Sequence, residues 1–137
     1  MSKQILAVVV ALVVAGLVIM GIESINMARF PWPENLSVED KKAFAAYVKG
    51  LPISALVTVL IAHITGAFVA GFLSSKIAAA NKLTLALICG AILLLGAIVN
   101  IFMIPHPGWF MVVNLLTIVP AAILGGKLAI KNKSHRF

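Results

Sequence analysis

Four long apolar segments dominate the pattern of hydrophobic and polar positions along the chain. They cover about residues 5–25, 52–75, 83–103 and 109–130. Each is close to the roughly 20 residues that a helix needs to cross the hydrocarbon core of a bilayer. Because a backbone in hydrocarbon must satisfy its own hydrogen bonds, the pattern predicts an all-α integral membrane protein, a four-transmembrane-helix bundle.

One substantial hydrophilic stretch separates the first two apolar segments. It opens with Phe30-Pro31-Trp32-Pro33, where the two prolines lack the N–H that a continuing helix needs. Ser37 then precedes Val38-Glu39-Asp40, which places a side-chain acceptor at a helix start and acids in the first turn. Apolar residues follow at helical spacing from Phe44 onward. The pattern predicts a short amphipathic helix over about residues 38–49, lying on the membrane surface or packed on the bundle as an ordinary loop helix.

Composition excludes a soluble globular domain and leaves one membrane domain over residues 1–137. The chain is 62% apolar and 11% charged, with a mean hydropathy of +1.12, far from the average of soluble proteins. Its only cysteine, Cys89, lies in an apolar segment, so we expect neither a disulfide nor a CxxC site. The net charge of +7 comes from basic residues dispersed at helix ends, so no nucleic-acid partner is expected.

The distribution of Lys and Arg predicts the orientation of the bundle. One side carries seven basic residues: Lys3, Lys76, Lys82, Lys127, Lys131, Lys133 and Arg136. The other side carries four, Arg29, Lys41, Lys42 and Lys49, together with all four acids. Since cytoplasmic loops are enriched in Lys and Arg, both termini are predicted to be cytoplasmic and the amphipathic helix periplasmic. Residues 131–137 then form a basic cytoplasmic tail, and Trp32, Tyr47 and Trp109 form an aromatic belt at the outer interface.

Polar side chains inside the apolar segments are the candidates for function, because each is costly in hydrocarbon. His63 lies near the middle of the second segment and is predicted to point into the bundle. It is either a proton relay or ligand-binding group, or a neutral histidine that hydrogen-bonds across helices. A second set lies toward the outer helix ends and comprises Glu23, Asn26, Asn100, His106 and Asn114. These residues are predicted to line an outward-facing vestibule for a small polar ligand, or else to hold helices together.

Small residues form stripes on several segments and predict close helix packing. They are Gly16, Gly66, Ala67, Ala70, Gly71, Gly96 and Gly125. No GxSxG, HExxH, P-loop or dinucleotide motif occurs in the sequence. We therefore expect no catalytic residues, no metal site and no cofactor, and membrane lipids are the expected surroundings.

The whole chain resembles a family of small, functionally uncharacterised bacterial four-helix membrane proteins. The resemblance is carried by Glu23, Leu51-Pro52, Gly71, Asn100 and the run Ile104-Pro105-His106-Pro107-Gly108-Trp109-Phe110. Of these, the Pro-His-Pro-x-Trp-Phe element is the most specific. The resemblance implies a single-domain helical bundle in the bacterial inner (cytoplasmic) membrane, and it implies no activity.

Three functional hypotheses follow. The first is a non-enzymatic membrane protein that forms a homo-oligomer or a small subunit of a larger membrane complex, because small-residue stripes occur on several helices. The second is a small-solute or proton-coupled transporter or channel that uses His63 and the outer polar layer around Glu23. The third, lipid binding or modification at the outer interface, lacks a nucleophile and base pair and ranks last.

Overall fold

The computed structural model describes residues 2–134, which form five α-helices and no β-strand. The helices are α1 (Ser2–Arg29), α2 (Lys41–Gly50), α3 (Ile53–Ile77), α4 (Lys82–Met103) and α5 (Gly108–Ser134). All but α2 are long and apolar enough to cross a membrane. The prediction of an all-α fold with four helices that could span a membrane is confirmed.

The short helix α2 begins at Lys41, so the predicted start at residue 38 and the predicted cap at Ser37 are wrong. Asp40 is the N-cap, because its carboxylate accepts the backbone N–H of Ala43 at 3.0 Å. The Ser37 hydroxyl instead accepts the N–H of Glu39 at 3.2 Å, which stabilises a turn ahead of the helix. Glu39 therefore precedes α2 rather than lying in its first turn.

Helix α5 is longer than predicted at its C-terminal end. Residues 131–134, assigned from the sequence to the basic tail, continue the helix, because no glycine or proline stops it after Ile130. The last three residues of that predicted tail, 135–137, lie outside the described residues. Pro120 lies inside α5 and has no N–H to donate to the carbonyl of Leu116, so the helix lacks one internal hydrogen bond there.

Helix α3 is the centre of the bundle and packs against α1, α4 and α5. The turn 78–81 joins α3 to α4, with Asn81 in the left-handed region at φ 52°. We call the end of the bundle that carries residues 30–52 and 104–107 the loop end, and the opposite end, with Ser2 and Ser134, the terminal end.

Small residues bring α3 and α5 into close parallel contact, which we call the α3–α5 seam. A Cβ added to Gly71 would overlap the carbonyl of Ala122, and one added to Gly125 would overlap the carbonyl of Phe68. Ala67 and Ala122 are fully buried beside them. Glycine is therefore required at these two positions because backbone atoms occupy the space of a side chain.

Helix α1 is held mainly through alanines in its first half. Ala7, Ala11 and Ala15 are fully buried and are the buried residues of this helix. Ala11 and Ala15 pack against Ala70 of α3 and Cys89 of α4. The half of α1 from Gly16 to Arg29 contains no buried residue, although its Ile19 side chain packs on Gly66 of α3.

A cleft of about 410 Å³ separates α1 from α4, and we call it the α1–α4 cleft. The two helices contact each other much less than either contacts α3. Gly96 of α4 borders the cleft and is exposed. A Cβ added to Gly96, or to the half-buried Gly16 of α1, would meet no atom within 4 Å. Gly16 and Gly96 thus do not pack against another helix of this chain, whereas Gly66, Gly71 and Gly125 do.

Candidate functional site

Three polar side chains from three helices meet inside the bundle, and we call them the polar cluster. Nε2 of His63 on α3 lies 3.4 Å from Oε1 of Glu23 on α1. Nδ1 of the same ring lies 2.9 Å from Oδ1 of Asn114 on α5. His63 therefore links a carboxylate and an amide across the central helix.

The sequence predicts His63 and the Glu23–Asn114 layer at different depths. At ~1.5 Å per residue, His63 lies ~15 Å from the start of α3, while Glu23 and Asn114 each lie ~9 Å from the loop end of their helices. The difference is about one helical turn. The stagger of the helix ends and the reach of the Glu and His side chains close it, so the structure joins two groups that sequence reasoning keeps apart.

The proton on His63 determines how the polar cluster is held together. A neutral imidazole has one N–H and one bare nitrogen, whereas the imidazolium donates from both. With both ring nitrogens protonated, His63 can donate to Asn114 and pair with the Glu23 carboxylate at the same time. With a neutral ring, one of the two contacts must be made by a group that donates to His63, such as the NH₂ group of a rotated Asn114 amide.

Burial differs sharply across the polar cluster. Asn114 is 2% exposed, and the side chains of His63 and Glu23 are 14% and 38% exposed. Asn114 lies beside the α3–α5 seam, and Glu23 lies where the bundle opens toward the α1–α4 cleft. The carboxylate is therefore the member that a molecule entering the bundle reaches most easily.

A cavity of about 180 Å³ lies at the loop end, and we call it the loop-end cavity. Its polar lining residues are Glu23, Asn26, Asn100 and His106. Four aromatic residues also line it: Phe30, Trp32, Phe44 and Tyr47. The cavity thus combines one carboxylate, two amides and an imidazole with aromatic walls.

Helix α2 and the segment before it form the aromatic wall of this cavity. The ring of Phe44 is 2% exposed and packs edge-on against Trp32, with centroids 5.2 Å apart. The hydroxyl of Tyr47 donates a long hydrogen bond of 3.4 Å to the carbonyl of Phe30. Because Lys41 and Lys49 on the other face of α2 are exposed, α2 turns its apolar side to the cavity.

Asn26 connects α1 to the first turn of α3. Its Nδ2 donates a hydrogen bond of 3.0 Å to the carbonyl of Ala55. Its Oδ1 is buried and accepts no hydrogen bond from the described residues. An unsatisfied buried acceptor is unfavourable by ~1–3 kcal/mol, so Asn26 holds α1 to α3 through its Nδ2 alone.

His106 lies in the connection between α4 and α5 and is fixed by two contacts. Its Nδ1 lies 2.7 Å from the carbonyl of Ile104, and since a carbonyl can only accept, Nδ1 carries the proton. The ring stacks on Phe110, with centroids 4.7 Å apart and an interplanar angle of 12°. Burial lowers the pKa of His106, so the neutral ring with Nε2 as a free acceptor is the form favoured at neutral pH.

Two residues belong to both cavities. Glu23 and Asn100 line the loop-end cavity and also the α1–α4 cleft, where His63 is a further lining residue. The two cavities are therefore adjacent at Glu23 and Asn100, and His63 lies on the side of the α1–α4 cleft.

The predicted site residues fall into two groups. Glu23, Asn26, Asn100 and His106 share the loop-end cavity, and Trp32 and Tyr47 line it with them. Asn114 contacts His63, and Trp109 instead packs edge-on against Phe110. Sequence reasoning missed Phe30 and Phe44 as cavity walls, although the helical spacing of Phe44 and Tyr47 already indicated a shared face. Among the described residues, no three His, Cys, Asp or Glu side chains come together in a way that would hold a metal ion.

Comparison with family models, with curated proteins and with solved structures gives no significant match to this chain.

Proposed function

We propose that this chain is a multi-pass protein of the bacterial inner membrane, with both termini in the cytoplasm and α2 on the periplasmic surface. The excess of basic residues at the terminal end, seven against four, supports this orientation. All four acids and the belt residues Trp32, Tyr47 and Trp109 belong to the loop end or its neighbourhood, which supports a periplasmic loop end.

We further propose a transport role: the protein moves a small polar solute and couples its passage to protonation of the polar cluster. The contact between His63 and Glu23 carries this proposal. Ionisable groups within membrane-spanning helices are costly, and those that persist there commonly serve solute or proton pathways. The two cavities that meet at Glu23 provide the route for a solute to reach this contact.

Coupling follows from competition for one carboxylate. The Glu23–His63 ion pair exists only while His63 holds its second proton. A solute that takes over Glu23 leaves the imidazolium without its counter-ion, and a proton then leaves the polar cluster. Release of the solute restores the pair and takes a proton up again, so each passage is linked to proton movement.

The test is proton flux into proteoliposomes that contain the full chain and an internal pH-sensitive dye. A pH gradient is imposed with the membrane potential clamped, in separate arms without solute and with small amines, amino acids, carboxylates or polyols. We expect at least one arm to collapse the gradient faster than in protein-free vesicles, and His63→Gln and Glu23→Gln to abolish the acceleration. Glu34→Gln is the matched control, since it removes an exposed acid outside both cavities. Equal rates in all arms, or full activity of both cluster variants, would reject a transport role.

A second proposal is association with another copy or a membrane partner, as a non-enzymatic subunit. It is favoured by the open surface at Gly96 and Gly16, where no atom of this chain occupies the place of a side chain. The other glycine stripes are used within the chain, so this surface is where helix association is expected. Native mass spectrometry from lipid nanodiscs tests it. Gly96→Leu should shift an oligomer toward monomer, and a wild-type protein that is monomeric and without a partner contradicts the proposal.

A further inference from the structure

The loop-end cavity has the charge and the walls of a cation site. Among the described residues that line it, Glu23 is the only one that is negatively charged, and none is Lys or Arg. The basic residue nearest in sequence, Arg29, is exposed and lies over the ring of Phe30, 5.2 Å from its centroid. A ligand that enters this cavity therefore meets one carboxylate that no lining lysine or arginine neutralises.

We propose that the loop-end cavity binds a small organic cation with N–H donors, of the alkylammonium class. The inference names a solute class for the proposed transport role and rests on that role for what happens to the ligand after it binds. Binding itself is argued from the cavity alone. It names the class of solute that the carboxylate Glu23 and the aromatic walls select together.

The aromatic walls support a cation rather than a neutral polar molecule. Phe30, Trp32, Phe44 and Tyr47 line the cavity. A cation over the face of an aromatic ring is attracted by the ring quadrupole, as Arg29 already is at Phe30. The lining thus offers a positive charge both a carboxylate and aromatic rings.

The polar groups of the cavity are mainly acceptors, which favours a ligand that donates. The Glu23 carboxylate only accepts, and His106 presents Nε2 as an acceptor because Nδ1–H is bonded to Ile104. An ammonium group supplies three donors, so it matches this set, whereas a quaternary ammonium supplies none.

The size of the cavity suits a small ligand. Its volume of about 180 Å³ accommodates a short alkylammonium. The apolar lining residues, such as Leu51 and Val59, would contact the alkyl part.

Binding of such a cation should release a proton. His63 faces Glu23 from α3, and His106 lies at the same cavity from the α4–α5 connection. From α4 and α5 the neutral amides Asn100 and Asn114 complete the surroundings. An ammonium at Glu23 replaces the His63 imidazolium as counter-ion, and the displaced charge leaves as a proton to the solvent.

The binding test uses the full chain in nanodiscs and isothermal titration with propylammonium, tetramethylammonium, 1-propanol and propionate as probes. We expect propylammonium to bind about tenfold more tightly than 1-propanol, with tetramethylammonium between them. Repeating the titration in buffers of different ionisation enthalpy counts the protons released. Equal affinity for propylammonium and 1-propanol, or tighter binding of propionate, would overturn the proposal.

Two matched pairs of variants locate the site. Glu23→Gln should weaken propylammonium by about tenfold, and Glu34→Gln should not. Trp32→Ala should weaken it as well, and Trp109→Ala should not, since the two tryptophans are 42% and 43% exposed but only Trp32 lines the cavity. The comparison of Trp32→Ala with Trp109→Ala keeps the test valid if Glu23→Gln does not fold, because both tryptophans are exposed. Unchanged binding in Trp32→Ala would contradict the assignment.

Failure of this inference and of the transport proposal can be told apart. Propylammonium binding without flux in proteoliposomes keeps the cation site and rejects transport. Flux in an arm other than the amines, without propylammonium binding, keeps transport and rejects the cation class.

Discussion

The α3–α5 seam and the α1–α4 cleft both contain glycine, but the surroundings of the glycines are opposite. At the seam, Gly71 and Gly125 allow the backbones of α3 and α5 to contact each other, and both glycines are buried in the interface. At the cleft, Gly96 faces open space, and α1 and α4 stay apart over a volume of about 410 Å³. A glycine in an apolar segment therefore does not by itself indicate close approach, because the neighbouring helix must also reach it.

The polar cluster extends from the α3–α5 seam to the α1–α4 cleft. Asn114 belongs to the seam and is buried, while Glu23 borders the cleft and is accessible. His63 connects the two, because its ring has one nitrogen toward each. The rigid side orients the imidazole, and the open side admits a ligand to the carboxylate.

The largest effect is expected when the seam is broken by a single methyl group. Gly71→Ala places a Cβ on the carbonyl of Ala122, and backbone atoms cannot rotate away, so we expect a loss of ~3 kcal/mol or more in the free energy of unfolding. Gly96→Ala is the matched control and should be neutral or stabilising by up to ~1 kcal/mol, since alanine is the better helix former. Thermal unfolding in a common detergent measures both. Equal melting temperatures for the two variants would contradict the contrast between seam and cleft.

A smaller effect is expected from removing the amide at the seam. Asn114→Leu leaves Nδ1 of His63 without its partner, and interhelical hydrogen bonds in membrane proteins contribute ~0.6 kcal/mol on average and up to ~1.7 kcal/mol. The control is Thr117→Val, because the Thr117 hydroxyl bonds only carbonyls of its own helix, that of Val113 at 2.8 Å and that of Asn114 at 3.2 Å. Chemical unfolding in mixed micelles should separate the two. An equal or larger loss of unfolding free energy for Thr117→Val would contradict a stabilising hydrogen bond between His63 and Asn114.

The smallest effect is a pH dependence at the loop end, in the connection between α4 and α5. Burial lowers the pKa of His106 below its ordinary value of 6.5, and the hydrogen bond to the carbonyl of Ile104 opposes this lowering. Between the lowered pKa and 6.5 the unfolded chain binds more protons, so this contribution to stability is complete above 6.5 and is lost as the pH falls through the folded pKa. The negative charge of Glu23 opposes this lowering of the His106 pKa, and the positive charge of protonated His63 reinforces it.

The measurement is the melting temperature of wild type and His106→Gln over a pH series from neutral to mildly acidic. Wild type should lose stability toward acid more steeply than the variant. Parallel curves for the two proteins would exclude His106 as the source of the dependence.

The sequence predicts the helical elements well and their mutual arrangement poorly. Length and hydropathy define four spans because the bilayer thickness sets a physical scale. The start of α2 was missed because Ser37 and Asp40 are both good N-cap residues, and only the conformation of the chain decides which one accepts from the helix. The Ala7, Ala11 and Ala15 stripe on α1 was missed because alanine is common in any apolar segment.

For the candidate site, the sequence identifies the polar residues but not their partners. Glu23, His63 and Asn114 stand out because polar groups are rare in these segments. Their contact depends on the stagger of three helices, which no local pattern encodes. The loop-end cavity likewise depends on how residues 30–33 and α2 fold back, and the hydrogen bond from Tyr47 to the carbonyl of Phe30 is visible only in three dimensions.

Helix α1 is joined to the bundle in two different ways along its length. All of its buried residues are alanines between positions 7 and 15, whereas Glu23 lies in the half that carries none. That half meets α3 through separate side chains: Ile19 beside Gly66, Glu23 at His63 and Asn26 at the carbonyl of Ala55. A reorientation of the Glu23 side chain away from His63 therefore leaves the alanine half of α1 in place.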